Sequence, residues 1–293
     1  MFSVKELETQ PEELSLTAVT QLRTHPAFRK TMRQSMQSSI ALHRGGRLLG
    51  WILGDRARAA FGHALMYLHA TYDPADPRSG LTPGRTRELC TELGLCSANR
   101  AAAMLALMQV AGYVAPVEST GDARVRRLVP TEKLRVLQRA RISGQIEALS
   151  IAVPEVRPAL GRLGDPAFER IMAVGFAGFF LNGVRVLQHA EPIRLFAERS
   201  TGVVLLFDLL LQGWDRPEHE IELSIADLAR RYGVSRVHIN RLLRDAEAAG
   251  SVERTGNSLY LTRSCRDAAE RFVATAMLLF KAVVTRALAA EAA

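Results

Sequence analysis

Apolar and polar positions alternate along the chain in one order, used twice. An apolar run at helical spacing covers 58–71, and another covers 202–212. Each is followed by a polar loop with Pro and Gly or Asp (72–84 and 213–220) and then by a short amphipathic helix (85–93 and 225–232). That helix stops at Gly94 or Gly233, where a residue free to take positive φ allows a sharp turn. Ser97 and Ser235 stand where an N-cap is wanted, and a helix follows to Gly112 or Gly250. Extended runs then pair as hairpins, 113–118 with 124–129 and 251–254 with 258–262, the second around Thr255-Gly256-Asn257. Helical patterns flank both units, at 29–42 and 131–151 around the first and at 166–199 and 266–290 around the second. The last of these places Phe272, Ala276, Leu279, Phe280 and Val283 on one stripe.

Aligned on these elements, Leu89 falls on Leu228 and Gly94 on Gly233. With one extra residue in the first turn, Ser97 falls on Ser235, Leu105 on Leu243 and Gly112 on Gly250. Upstream, Gly62, Leu65 and Tyr67 match Gly202, Leu205 and Phe207. Helix, helix–turn–helix and hairpin in that order describe a winged helix–turn–helix. The fold expected is mainly α with small β-hairpin wings: two tandem winged units in a helical scaffold, forming an internal pseudo-repeat. Residues 1–57 form an N-terminal helical extension. The first unit with its following helix takes 58–152, a linker and scaffold 153–199, the second unit 200–263 and a C-terminal helix 264–293. Pro154, Pro158 and Pro166 mark 153–166 as the linker.

Composition adds limits. With 293 residues, 48% apolar and 23% charged, the chain has material for about two globular domains. A net charge of +8 suits a polyanionic partner, though mildly. Cys90, Cys96 and Cys265 cannot make a disulfide framework. The N-terminus has no signal-peptide pattern, and the longest apolar run, 171–181, is too short to cross a bilayer. A cytoplasmic, nucleoid-associated protein without a membrane partner is expected. No P-loop, dinucleotide fingerprint, zinc-protease or nucleophile-elbow motif occurs, so neither an enzyme, a cofactor nor a metal is expected.

Residues 58–135 resemble the multiple-antibiotic-resistance regulator (MarR) family. The resemblance rests on Gly80-Leu-Thr-Pro-Gly-Arg, Leu93-Gly-Leu-Cys-Ser, Ala111-Gly-Tyr-Val, Asp122-Ala-Arg124 and Pro130-Thr131. Residues 200–263 are similar to bacterial regulators of the cyclic-AMP-receptor type, through Ala229-Arg-Arg-Tyr-Gly-Val-Ser-Arg and Arg241-Leu-Leu-Arg-Asp-Ala-Glu-Ala-Ala-Gly. Together these cover about half the chain. They imply a bacterial transcription regulator that binds promoter or operator duplex DNA. The first resemblance also implies interlocked terminal helices, met here by a homodimer through 266–290 or by an intramolecular pseudodimer. A small-molecule effector is compatible with it and is not identified.

On a helical wheel, Ile239, Leu242, Leu243 and Ala246 face inward, while Val237, Asn240, Arg241 and Arg244 face outward with Arg236 at the flank. Arg reads guanine bidentately and Asn reads adenine in the major groove, so this helix is the expected base reader; Arg244 is placed to meet a phosphate. The corresponding outward face of the first unit is Asn99, Ala102, Ala103 and Ala106, so only Asn99 and Arg100 can hydrogen-bond DNA there. Its wing carries Arg124, Arg126 and Arg127, and Arg87 on the preceding helix is a candidate phosphate contact. With the caps Ser97 and Ser235 and the second wing's Arg254, these form the candidate DNA interface. A basic stretch from Arg23 to Arg58 is a further candidate border to the phosphates. The rival reading is a tandem winged-helix scaffold that binds proteins, which the alanine face favours.

Overall fold

Gly94 and Gly233 take left-handed φ angles of 60° and 65°, and each ends a short helix in a turn closed by the same hydrogen bond. Leu95 N donates to Cys90 O (2.9 Å), and Val234 N donates to Ala229 O (3.1 Å). The computed structural model describes residues 12–44, 54–76, 78–117, 126–188, 190–215, 220–256 and 258–292. The protein is mainly helical, with two small antiparallel sheets. We label the α-helices in chain order. Leading into the first unit are α1 (Leu16–Thr24), α2 (Phe28–Arg44) and α3 (Arg56–Ala70). The unit continues with α4 (Pro83–Glu92) and α5 (Ala98–Val110), then the strands β1 (Val114–Pro116) and β2 (Leu128–Pro130), and α6 (Glu132–Leu149). Next come α7 (Pro166–Leu181), the short α8 (Arg194–Glu198) and α9 (Gly202–Gln212). The second unit has β3 (Ile221–Glu222), α10 (Ile225–Tyr232), α11 (Arg236–Ala248), β4 (Val252–Thr255) and β5 (Ser258–Leu261), and α12 (Arg263–Ala292) ends the chain.

The two stretches agree bond by bond. Thr131 N donates to Tyr113 O (2.9 Å) and its hydroxyl to Gly112 O (2.8 Å). Thr262 N donates to Ser251 O (3.1 Å) and its hydroxyl to Gly250 O (3.0 Å). In each case a threonine clamps the end of a hairpin to the end of the helix before it. The second sheet has a third strand, with the order β3-β5-β4 and Ile221 opposite Leu259. The first has a single matching bond, Leu128 N to Leu81 O (2.8 Å). Neither edge contact is legible in the hydrophobic pattern, because two residues show no alternation.

The scaffold helices are crossed between the halves. Within the first half α2 packs on α6, and within the second α7 packs on α12. Yet α3, of the first half, lies on α7, and α9, of the second, lies on α2. Arg135 and Arg139 of α6 both pair with Glu169 of α7 (2.9 Å each), and Thr201 N donates to Gly54 O (2.5 Å). The core follows the same plan. Phe61, Leu65, Leu89, Leu105 and Leu134 bury together with Ala173 of α7. A larger cluster joins Met32 and Met36 of α2 to Leu205 and Leu209 of α9 and Leu243 of α11.

Within the proline-rich stretch 153–166, Pro154–Arg162 winds as a 3₁₀ helix, and Val156 and Ala159 are fully buried. Its prolines start and tighten the turn rather than break it. Apart from the run 171–181, Arg263–Ala290 of α12 is long and apolar enough to cross a membrane, by length and composition only. Most of that window is buried against α1, α7 and the rest of the scaffold.

His63 lies buried on α3 with its ring 4.9 Å from Phe176. Burial, and secondarily the charge of Arg141, hold its pKa well below the usual 6.5; burial lowers His69 in the same direction. Below about pH 6.5 the unfolded chain takes up a proton that the folded chain refuses, so stability falls as pH drops through that value towards the folded pKa. Above it, His63 adds no pH dependence. The melting temperature is therefore expected to fall between pH 7 and pH 5, and His63→Leu to flatten part of the fall. Parallel melting curves for the two proteins across this range check it.

Candidate nucleic-acid interface

Ser235 accepts a hydrogen bond from His238 N (3.1 Å) and starts α11. Ile239, Leu242, Leu243 and Ala246 are buried, as the wheel requires. Two further contacts fix the roll of the helix. Asp245 pairs with Arg199 (3.0 Å), and His238 Nε2 lies 2.9 Å from Ser200 O. A carbonyl only accepts, so Nε2 carries the hydrogen and ties His238 to the segment before α9. The outer face holds Arg236, Arg241 and Arg244, all exposed, with Asn240 half-buried and Val237 76% exposed. Among the described residues, no carboxylate pairs with these three arginines.

Helix α10 is anchored to both halves. Tyr232, at its end, is buried beside His43 and Arg44 of α2, with the Arg44 guanidinium 5.6 Å from the ring centre. Arg231 pairs with the buried Asp208 of α9 (2.5 Å), which also lies 3.6 Å from Arg44. Burial and then the neighbouring Asp208 push the Tyr232 hydroxyl up to about 12, so it stays protonated. Arg254 on β4 is half-buried, with its Nε shut from solvent.

The first unit is built alike and armed differently. Thr82 caps α4 and Ser97 caps α5, accepting from Arg85 N (3.1 Å) and Arg100 N (3.4 Å). Ala101, Met104, Leu105 and Met108 are buried, and Asn99, Ala102, Ala103 and Ala106 are exposed. Arg100 is not free: its Nη2 pairs with Asp55 Oδ2 at 2.8 Å. Asp55 is buried, caps α3 through Arg58 N (2.9 Å) and so ties α5 to that helix. Arg87 Nε donates to Pro83 O (3.3 Å), and Arg127 stacks 4.2 Å from the centre of the Tyr72 ring. Arg126 is exposed, whereas Arg124 lies outside the described residues. Cys90 is fully buried beside Cys96, and desolvation pushes its pKa up to about 12, away from thiolate chemistry.

Several bases of the stretch from Arg23 to Arg58 have partners inside the protein, although Arg29 and Arg44 among them stay exposed. Arg23 holds Asp267 and Glu270 of α12, Arg29 donates to Trp214 O, and Arg44 and Arg58 hold Asp208 and Asp55. Lys30 and Arg33 are exposed, while Arg47 lies outside the described residues. Sequence reasoning counted these bases without their partners. The pinning role of Asp55 was also missed, although an acid one residue before an apolar helix is an N-cap signal. Comparison of the chain with family models, curated proteins and solved structures found no match.

Proposed function

We propose that this chain is a sequence-specific, double-stranded-DNA-binding transcription regulator. Its two helix–turn–helix and hairpin stretches act as winged helix–turn–helix units, and α11 dominates base readout. The observation that carries this reading is the outer face of α11. It presents Arg236, Asn240, Arg241 and Arg244 on a helix whose roll is locked from behind. Arginines free of internal carboxylates on such a face suit guanine edges and phosphates. The crossed scaffold supports an intramolecular pseudodimer, with both units carried by one chain.

Selection of bound fragments from a random duplex library, repeated across salt concentrations, tests the reading. An enriched sequence is expected, with a steep fall of affinity on added salt. Each neutralised phosphate contributes about −0.9 to the log–log slope. The second reading, a protein-binding scaffold, is favoured by one observation: α5 exposes Ala102, Ala103 and Ala106, and Val110 is 87% exposed. No enriched sequence and a slope near zero would favour that scaffold.

A further inference from the structure

A cavity of about 290 Å³ lies between the crossed halves, with walls from α2, α3, α6, α7, α9 and α12. Polar groups on α2 and α6 form one side of it. The Ser35 hydroxyl donates to Gln145 Oε1 (2.6 Å), and Gln145 Nε2 donates to Ser39 Oγ (3.2 Å), so these three largely satisfy one another. One turn before Gln145, Arg141 also faces the cavity and donates from Nη1 to Ala59 O (2.6 Å). It is deep in the protein and keeps some accessible surface, as a cavity-lining side chain does. The walls from α7, α9 and α12 are apolar, with Phe176, Phe180, Phe207, Phe272 and Phe280.

The charges in this wall do not balance. Burial pulls the Arg141 pKa down to about 10, which still leaves the guanidinium charged at neutral pH. Among the described residues, no carboxylate pairs with it. Asp55, the carboxylate in the lining, is engaged by Arg100 (2.8 Å) and Arg58 (3.4 Å). Arg185, the other guanidinium of the lining, donates to the carbonyls of Phe180 (2.9 Å) and Val184 (3.0 Å). A buried charge without a counter-charge is costly, and a ligand that brings one recovers that cost on binding. His63, held neutral, adds no competing charge.

We propose that this cavity binds a medium-chain acyl carboxylate, its carboxylate on the Arg141 guanidinium and its chain among the phenylalanines. Guanidinium and carboxylate match in geometry, and their charge-assisted bonds strengthen away from water. One cationic end and one apolar end call for a linear amphiphile. The volume lies near the lower end of small-molecule sites, roughly 300–1,000 Å³, which suits a medium chain. The assignment stands on the cavity and does not depend on the DNA reading.

Isothermal titration of the full chain, without DNA, decides it. The probes are octanoate, octanamide and 1-octanol. Octanoate is expected to saturate at one per chain and to bind about tenfold or more tighter than either neutral analogue. Arg141→Gln should remove that preference and leave octanol unchanged. Ala276→Leu keeps Arg141 and shortens the apolar space, so it should move the best-bound acid from octanoate to a shorter chain. Equal binding of octanoate and octanamide, octanoate affinity unchanged in Arg141→Gln, or an unmoved length preference in Ala276→Leu would each overturn the proposal.

Discussion

Arg241→Ala is expected to weaken binding to the selected duplex by roughly five- to 150-fold, the range for losing a bidentate base contact of about 1–3 kcal/mol. Binding to random duplex should change far less. Arg241 stands one turn into α11, beyond the Ser235 cap and beside Asn240, with Leu242 and Leu243 buried behind it. Among the described residues, no carboxylate pairs with its guanidinium to compete with DNA. Arg254→Ala on the wing serves as the comparison, since a phosphate contact weakens all sequences alike. Competition titrations of both variants against selected and random duplexes measure the contrast. Unchanged site preference in Arg241→Ala would show that the outer face of α11 is not the reader.

Gly202→Ala is expected to cost about 3 kcal/mol or more and to lower the melting temperature by roughly 5–10 °C. A Cβ at Gly202 would lie 2.0 Å from the carbonyl oxygen of Phe196 and 2.8 Å from its carbonyl carbon. These are backbone atoms of α8, and the Phe196 side chain is itself fully buried, so neither side can yield cheaply. The preceding residue already holds an uncommon conformation: Thr201 has φ of 61°, with its amide hydrogen-bonded to Gly54 O. Gly178→Ala is the control. Gly178 lies inside α7 with nothing near its missing Cβ, and there the same change should gain about 0.5–1 kcal/mol. Thermal melts of the two variants should move in opposite directions, and a Gly202→Ala protein melting with the parent would rule out the close approach.

The local grammar of the chain was legible because it is local. Gly94 and Gly233 mark turns, Ser97 and Ser235 cap helices, and the faces of α5 and α11 follow from spacing alone. The inequality of the two faces was legible for the same reason. What the sequence withheld was pairing at a distance. No periodicity says that α3 belongs on α7 or α9 on α2, since an apolar stripe does not name its partner. Arg23 and Asp267 are far apart in the chain, so a count of bases along 23–58 could not show that Arg23 braces α12. Prolines 154 and 158 punctuate a loop as readily as they start a 3₁₀ turn, and only the burial of Val156 distinguishes the two. Arg141 carried no signal because an arginine among the other bases of a polar helix reads as solvated.

The crossing of the scaffold helices within a single chain has a consequence for dilution. In a two-chain dimer, each half loses its partner's helices as concentration falls, and stability is inseparable from protein concentration. Here α3 finds α7 and α9 finds α2 along one covalent path, so the effective concentration of each half for the other is fixed by the intervening chain. These contacts between the halves therefore need no second chain. Because each half exists once per molecule, a change in α5 has no forced copy in α11, and one face can keep its arginines while the other turns to alanine.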